Sequence, residues 1–252
     1  MNTISTSRDN KEASWINYKG LKCVVLCAGK GIRINRFEMD KPKTLIQIKN
    51  KPILDWIVNY WKRYANDFVF VVSYKKEYVI DFASQLPINC QFVEQKELRG
   101  IADAISNVKD FVSEHFIVVL GDCICNGNFN FPENMEQGVG VWGTNHVEDI
   151  KRSYSIKIRD DLIYKVEEKP RRVTNNLCGM GVYFFGRKVF DYVKLTKPSK
   201  LRNEIEITDV IQNMIDAGEK IMPVFFNGVY LNVTYPQDIK IAEKMMAKTL
   251  IS

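Results

Sequence analysis

Two spacings alternate along the first half of the chain. Short apolar runs that pattern as buried strands are separated by stretches in which apolar side chains recur at helical intervals. Cys23-Val24-Val25-Leu26-Cys27-Ala28 is the first run, and it stops abruptly at Gly29-Lys30-Gly31. Pro52 opens a helical pattern with Ile53, Trp56, Ile57 and Tyr60 on one face, proline being tolerated in a first turn. Positions 67–73 read as a second buried strand, 75–85 as a short helix and 89–93 as a third strand. A helix over 101–112 and a fourth strand over 115–120 follow. This alternation predicts right-handed crossovers and a largely parallel sheet.

From Gly138 the texture changes. Short strands at 138–144, 154–158, 162–167 and 178–185 follow with little helix between them, a mixed-sheet pattern. Helices return at 187–195 and 205–217, and strands at 220–226 and 229–233. Positions 237–250 close the chain as an amphipathic helix, with Ile239, Ile241, Ala242, Met245 and Met246 available for burial. The predicted fold class is α/β: a mixed, mainly parallel central sheet with helices on both faces. Residues 1–20 read as an N-terminal extension that Trp15 and Tyr18 could pin, and 21–252 as a single domain without repeat or linker.

Composition narrows the chemistry. With 252 residues, 46% hydrophobic and 26% charged, the chain can bury a large core. The net charge of +6 is spread along the whole sequence rather than gathered in a basic run. That distribution suits phosphate-bearing small molecules better than nucleic acid. Several of the six cysteines fall inside predicted strands, where a thiol acts as a small hydrophobe. Cys123-x-Cys125 lacks a second ligand pair, so zinc is not expected. The polar N-terminus and the lack of any long apolar segment predict a cytoplasmic protein without a membrane partner.

Candidate chemistry gathers where strands end, the usual ligand edge of an open α/β sheet. After the first run, two glycines can turn backbone N–H groups toward an anion, and Arg33, Arg36, Lys41 and Lys43 supply charge for a triphosphate. No Gly-Lys-Ser/Thr follows, so this is not a Walker A loop. Ile34 replaces the third glycine of a dinucleotide fingerprint. Gln95, ahead of Arg99-Gly100, offers an amide donor and acceptor to a base edge. Asp122 follows Leu120-Gly121 at a strand end, where a carboxylate can hold a hard divalent cation. Glu168-Lys169-Pro170 pairs a hydroxyl acceptor with an ammonium. An ordinary turn, a helix cap or a polar strand terminus is the plainer alternative at each place.

Together these segments carry a resemblance. A-G-x-G-x-R, then P-K, a short apolar run and K-P, resembles the opening of the nucleotidyltransferases that make sugar nucleotides, glucose-1-phosphate thymidylyl- and uridylyltransferases among them. It covers about residues 21 to 240 and implies a Rossmann-like, GT-A-like fold with a nucleotide-binding first half and an acceptor-binding second half. On that likeness Leu26, Ala28, Gly29, Lys30, Gly31, Gln95 and Gly100 hold the nucleotide. Arg33, Lys43 and Asp122 carry the chemistry, and Mg²⁺ (or Mn²⁺) sits on Asp122 with Asn232 as a second ligand. Glu168 takes acceptor hydroxyls, Lys169 takes its phosphate, and Asn175 and Gly179 complete the acceptor side.

The implied partners are a nucleoside triphosphate, pyrimidine favoured, and a phosphorylated small molecule, most simply a sugar 1-phosphate. A homo-oligomer is usual in the family. Three departures stand out. Glu97-Leu98-Arg99 lacks the usual proline, Asn232 replaces a metal-binding aspartate, and Ser155 replaces a glycine whose absence would crowd a hexose. They leave two alternatives: a cytidylyltransferase for a non-sugar phosphate, and a non-catalytic nucleotide-binding module.

Overall fold

The computed structural model describes residues 20–29, 41–199 and 203–249. The expected N-terminal extension, apart from Gly20, lies outside them. The first half runs β1 (Lys22–Leu26), a 3₁₀ turn (Lys43–Leu45), two short paired strands β2 (Gln47–Ile48) and β3 (Lys51–Pro52), then α1 (Ile53–Trp61). It continues with β4 (Asp67–Val72), α2 (Lys76–Ala83), β5 (Asn89–Glu94), α3 (Ile101–Ser106) and β6 (His115–Leu120). The second half has β7 (Cys123–Asn130), β8 (Gln137–Gly143), α4 (Val147–Arg152), β9 (Tyr154–Arg159), β10 (Leu162–Glu168) and β11 (Leu177–Gly186). It closes with α5 (Val189–Leu195), α6 (Ile207–Asp216), β12 (Ile221–Asn232) and α7 (Pro236–Thr249).

One sheet carries the order β5-β4-β1-β6-β11-β8-β12-β7, with β9 joined to β11 and β10. The run from β5 to β6 is parallel, as βαβ alternation requires. β11 turns the direction, lying antiparallel to both β6 and β8. Because strand side chains alternate, β1 feeds two cores. Cys23 and Val25 join Trp61, Phe68, Phe70 and Phe184 on one face, and Val24 joins Val69, Val71, Val118 and Phe116 on the other. α1 buries Ile53, Leu54, Ile57, Val58 and Trp61 against the first. α6 buries Val210, Ile211 and Met214 in the second.

The structure departs from the pattern in several places. α3 ends at Ser106, short of 112, because the Ser106 hydroxyl and the Asn107 amide both donate to the Asp103 carbonyl. The strands expected at 220–226 and 229–233 are one, β12, which continues through Gly228. Gly127 lies opposite it, and a Cβ on either would fall 2.3 Å from a carbonyl oxygen of the other strand. β7 has no counterpart in the sequence reading, since Asn126-Gly127-Asn128 imitates a turn. Ile241 is 51% exposed, whereas Ala242, Met245 and Met246 are buried. Among the described residues no helix is long and apolar enough to cross a membrane.

Candidate active site

The parallel pairing of β1 with β6 sets Leu26 opposite Leu120, so both strands end at one edge. The chain then passes closely over itself. Gly121 N–H donates to the Leu26 carbonyl at 2.9 Å, and a Cβ there would fall 2.5 Å from that oxygen and 2.8 Å from Thr44 Cγ2. Glycine is what lets the β6 terminus settle against β1 and the 3₁₀ turn. The result joins two distant segments, with Lys43 Nζ 2.5 Å from Asp122 Oδ2. Their side chains are 14% and 24% exposed, so the pair is partly shielded from water.

This ion pair faces a cavity of about 660 Å³. Leu26, Cys27, Ala28, Gly29, Gln95 and Gly100 line one end, and Ser153, Tyr154, Glu168, Lys169 and Tyr183 another. Gln95 is buried, and its Nε2 donates to Asp103 Oδ2 at 2.8 Å and to the Gly100 carbonyl at 3.3 Å. Gly100 has φ +104°, and a Cβ there would meet the Ile205 carbonyl at 2.8 Å. That segment is stitched in place by Ile205 N–H to Arg99 O and Ala102 N–H to Ile205 O.

On the other wall, Lys169 takes a left-handed φ of +43°, and its N–H donates to Ser153 O at 2.8 Å. Its Nζ lies 3.0 Å from Glu168 Oε1, while the Thr208 hydroxyl reaches Glu168 Oε2 at 3.4 Å. Asn232 also faces the cavity, its Oδ1 accepting from the Thr234 hydroxyl at 2.9 Å. The thiols and phenols here are neutral groups. Burial, reinforced by the Asp122 charge, pushes the Cys27 thiol up, and burial raises Tyr183 and Tyr154.

Other expected residues sit elsewhere. Asn175 does not line the cavity. Its amide donates to Ile156 O at 2.8 Å and accepts from Leu177 N–H at 3.1 Å, bracing the turn into β11. Gly179 makes room for a neighbour: a Cβ would fall 1.9 Å from the Tyr154 ring. Ser155 is buried in the ladder between Glu167 and Cys178 and does not line the cavity, so the crowding expected of it is not seen. Lys30, Gly31, Arg33 and Arg36 lie outside the described residues.

The cavity adds Thr44, Arg152, Glu204 and Glu206, which the sequence reading did not single out. Glu204 and Glu206 alternate with Ile205 and Ile207 just ahead of an amphipathic helix, a period that could have flagged them.

A sequence model of the Nucleotidyl transferase family matches residues 22–244, a span that includes every wall of this cavity. The chain belongs to the nucleotidyl transferase family. It is 32% identical over 230 residues to the bifunctional protein GlmU of Methanocaldococcus jannaschii, covering 90% of this chain and 54% of that protein. It thus spans about half the length of that relative. It is also 32% identical over 240 residues to the UTP–glucose-1-phosphate uridylyltransferase AglF of Haloferax volcanii, covering 90% of this chain and 96% of the relative. A UDP-glucose pyrophosphorylase solved with UDP-glucose superposes with a TM-score of 0.75 at 20% identity, over 91% of this chain and 99% of that one. That last likeness is one of fold.

Among the oxygens lining the cavity, the Asp122 carboxylate and the Asn232 amide oxygen could serve a divalent cation. Among the described residues no group of three or more His, Cys, Asp or Glu side chains is placed to enclose an ion. Two hard oxygens suit a Mg²⁺ that completes its shell with water and phosphate oxygens, as that ion commonly does. The Lys43 ammonium on Asp122 already shows this carboxylate holding a cation.

Proposed function

We propose that this nucleotidyl transferase joins a nucleoside triphosphate, pyrimidine favoured, to a sugar 1-phosphate, giving a nucleoside-diphosphate sugar and pyrophosphate. The observation that carries this reading is the Lys43–Asp122 pair set between Gln95 at one end of a cavity and Glu168-Lys169 at the other. In the reaction an acceptor phosphate oxygen bonds to the α-phosphorus while the bond from that phosphorus to the α,β-bridging oxygen breaks. The electron pair leaves with pyrophosphate. The nucleophile is already an anion, so no protein nucleophile is needed, and the work is positioning and charge compensation.

Lys43 and Arg33 hold the triphosphate and the departing pyrophosphate. Gln95 and Gly100 seat the base, Glu168 accepts hydrogen bonds from acceptor hydroxyls, and Lys169 places the acceptor phosphate. Mg²⁺ (or Mn²⁺) held by Asp122, with Asn232, supplies further positive charge to the phosphates. The test is pyrophosphate release with ATP, CTP, GTP or UTP offered against sugar 1-phosphates and phosphorylated amines. UTP with a sugar 1-phosphate is expected to give the fastest turnover. Turnover only with a phosphorylated amine, or none with any pair, would overturn the reading.

A further inference from the structure

β11 loses register against β8 between Gly179 and Tyr183, and its pairing with β6 begins at Val182. Gly181 falls in that break, and its N–H donates instead to the Tyr230 hydroxyl at 2.9 Å. The Tyr230 oxygen lies 3.0 Å from Cys123 Sγ, and Cys123 Sγ lies 3.5 Å from Asp122 Oδ1. A carboxylate only accepts, so the thiol proton points to Asp122. The Tyr230 proton, whose oxygen already accepts from Gly181, then points to sulfur.

The line therefore runs one way, from backbone amide to phenol to thiol to carboxylate, with each donor used once. Tyr230 and Cys123 are 7% and 2% exposed, so water does not compete for these contacts. Gly181 leaves the space for it, since a Cβ there would fall 2.7 Å from Cys123 Sγ. The other Asp122 oxygen meets Lys43 in the cavity. A tryptophan in place of Tyr230 would have only a donor and could not accept from Gly181.

We infer that Tyr230 and Cys123 are positioning residues that hold the Asp122 carboxylate with one oxygen turned to the cavity, so that cation binding at Asp122 depends on a phenol one layer behind it. The inference rests on the proposed reading of Asp122 as the cation holder. With a neutral Asn232 as the second ligand, a single carboxylate carries the charge of the site, and its orientation matters correspondingly more.

The test is binding of Mn²⁺ alone to the full chain, followed by the electron paramagnetic resonance signal of the free ion, with thermal midpoints measured in parallel. Tyr230→Phe and Cys123→Ala are each expected to weaken Mn²⁺ about tenfold. Cys123→Ser, which keeps a donor, is expected to stay close to wild type. The Tyr230→Phe/Cys123→Ala pair is expected to be no weaker than Cys123→Ala alone, because both act through one contact.

Wild-type Mn²⁺ affinity in Tyr230→Phe and Cys123→Ala, alongside loss in Asp122→Asn, would overturn the inference and leave the cation reading intact. Unaltered binding in Asp122→Asn would remove the cation reading itself. A lowered thermal midpoint with unchanged Mn²⁺ affinity, or a Cys123→Ser variant as weak as Cys123→Ala, would make the contacts merely structural. Should Cys123→Ala not fold, Tyr230→Phe and Cys123→Ser decide the matter.

Discussion

Gln95 Nε2 donates to Asp103 Oδ2 at 2.8 Å, an amide anchored by a carboxylate in the first turn of α3. Since that carboxylate only accepts, the amide nitrogen is committed to it, and Oε1 is the atom left for a ligand. Asp103→Ala is expected to release this orientation. The KM for the nucleoside triphosphate should rise about tenfold, the scale of one hydrogen bond to a charged group, with kcat little changed. Steady-state kinetics with the triphosphate varied will show whether it does.

On the proposed reading, Arg33→Ala and Lys43→Ala each remove a positive charge that compensates the phosphates. Each is expected to lower kcat by about a hundredfold or more. Single-turnover measurements at saturating substrates check this, and near-normal turnover in either variant would take that residue out of the mechanism.

Gly179 is a packing residue for Tyr154, so Gly179→Ala forces a methyl into a buried ring. Overpacking of this kind costs about 2 kcal/mol. In a chain of this size that corresponds to a thermal midpoint lower by roughly 4–8 °C. Calorimetry of the purified variant measures it. An unchanged midpoint would mean that the ring moves aside freely.

His115 has its pKa lowered by burial, against a smaller opposing influence from Glu114 and Glu136. The native state therefore binds its proton less readily than the unfolded chain does. This contribution to stability is constant above the ordinary histidine value of about 6.5 and declines as pH falls below it. Denaturant midpoints between pH 7.5 and 5.5 are expected to fall, and His115→Gln should flatten that part of the decline.

All six cysteines are free thiols, and only Cys90 is not buried. Burial drives the other five upward, Cys178 to about 12, so few exist as thiolate near neutral pH. A chromogenic disulfide reagent at pH 8 should find one fast thiol in the native protein and six after denaturation. A Cys90→Ser variant should lose the fast one.

Much of this arrangement was legible in the sequence, because the parallel half obeys simple periods. Val-rich runs became β1, β4 and β6, and the strand-end residues Gln95, Asp122 and Glu168 converge with Lys43 on one cavity. What escaped was set by contacts between distant segments. β7 is polar and glycine-bearing, and it becomes a strand only because β12 lies against it. The inward face of Glu204 and Glu206 depends on the Arg99–Ile205 backbone bonds. Asn175 and Gly179 carry a recognisable local pattern, yet their neighbours employ them in the scaffold.

β11 has a mechanical consequence. One strand is zipped to β8 on one flank and to β6 and, at Cys178, β9 on the other. The strands that carry Gln95 and Glu168 are therefore riveted to a common plate, which cannot swing like a clamshell without tearing its ladder. The spacing of Gln95 and Glu168 is thus set by the sheet, and any change in it falls to the loops and side chains around the mouth.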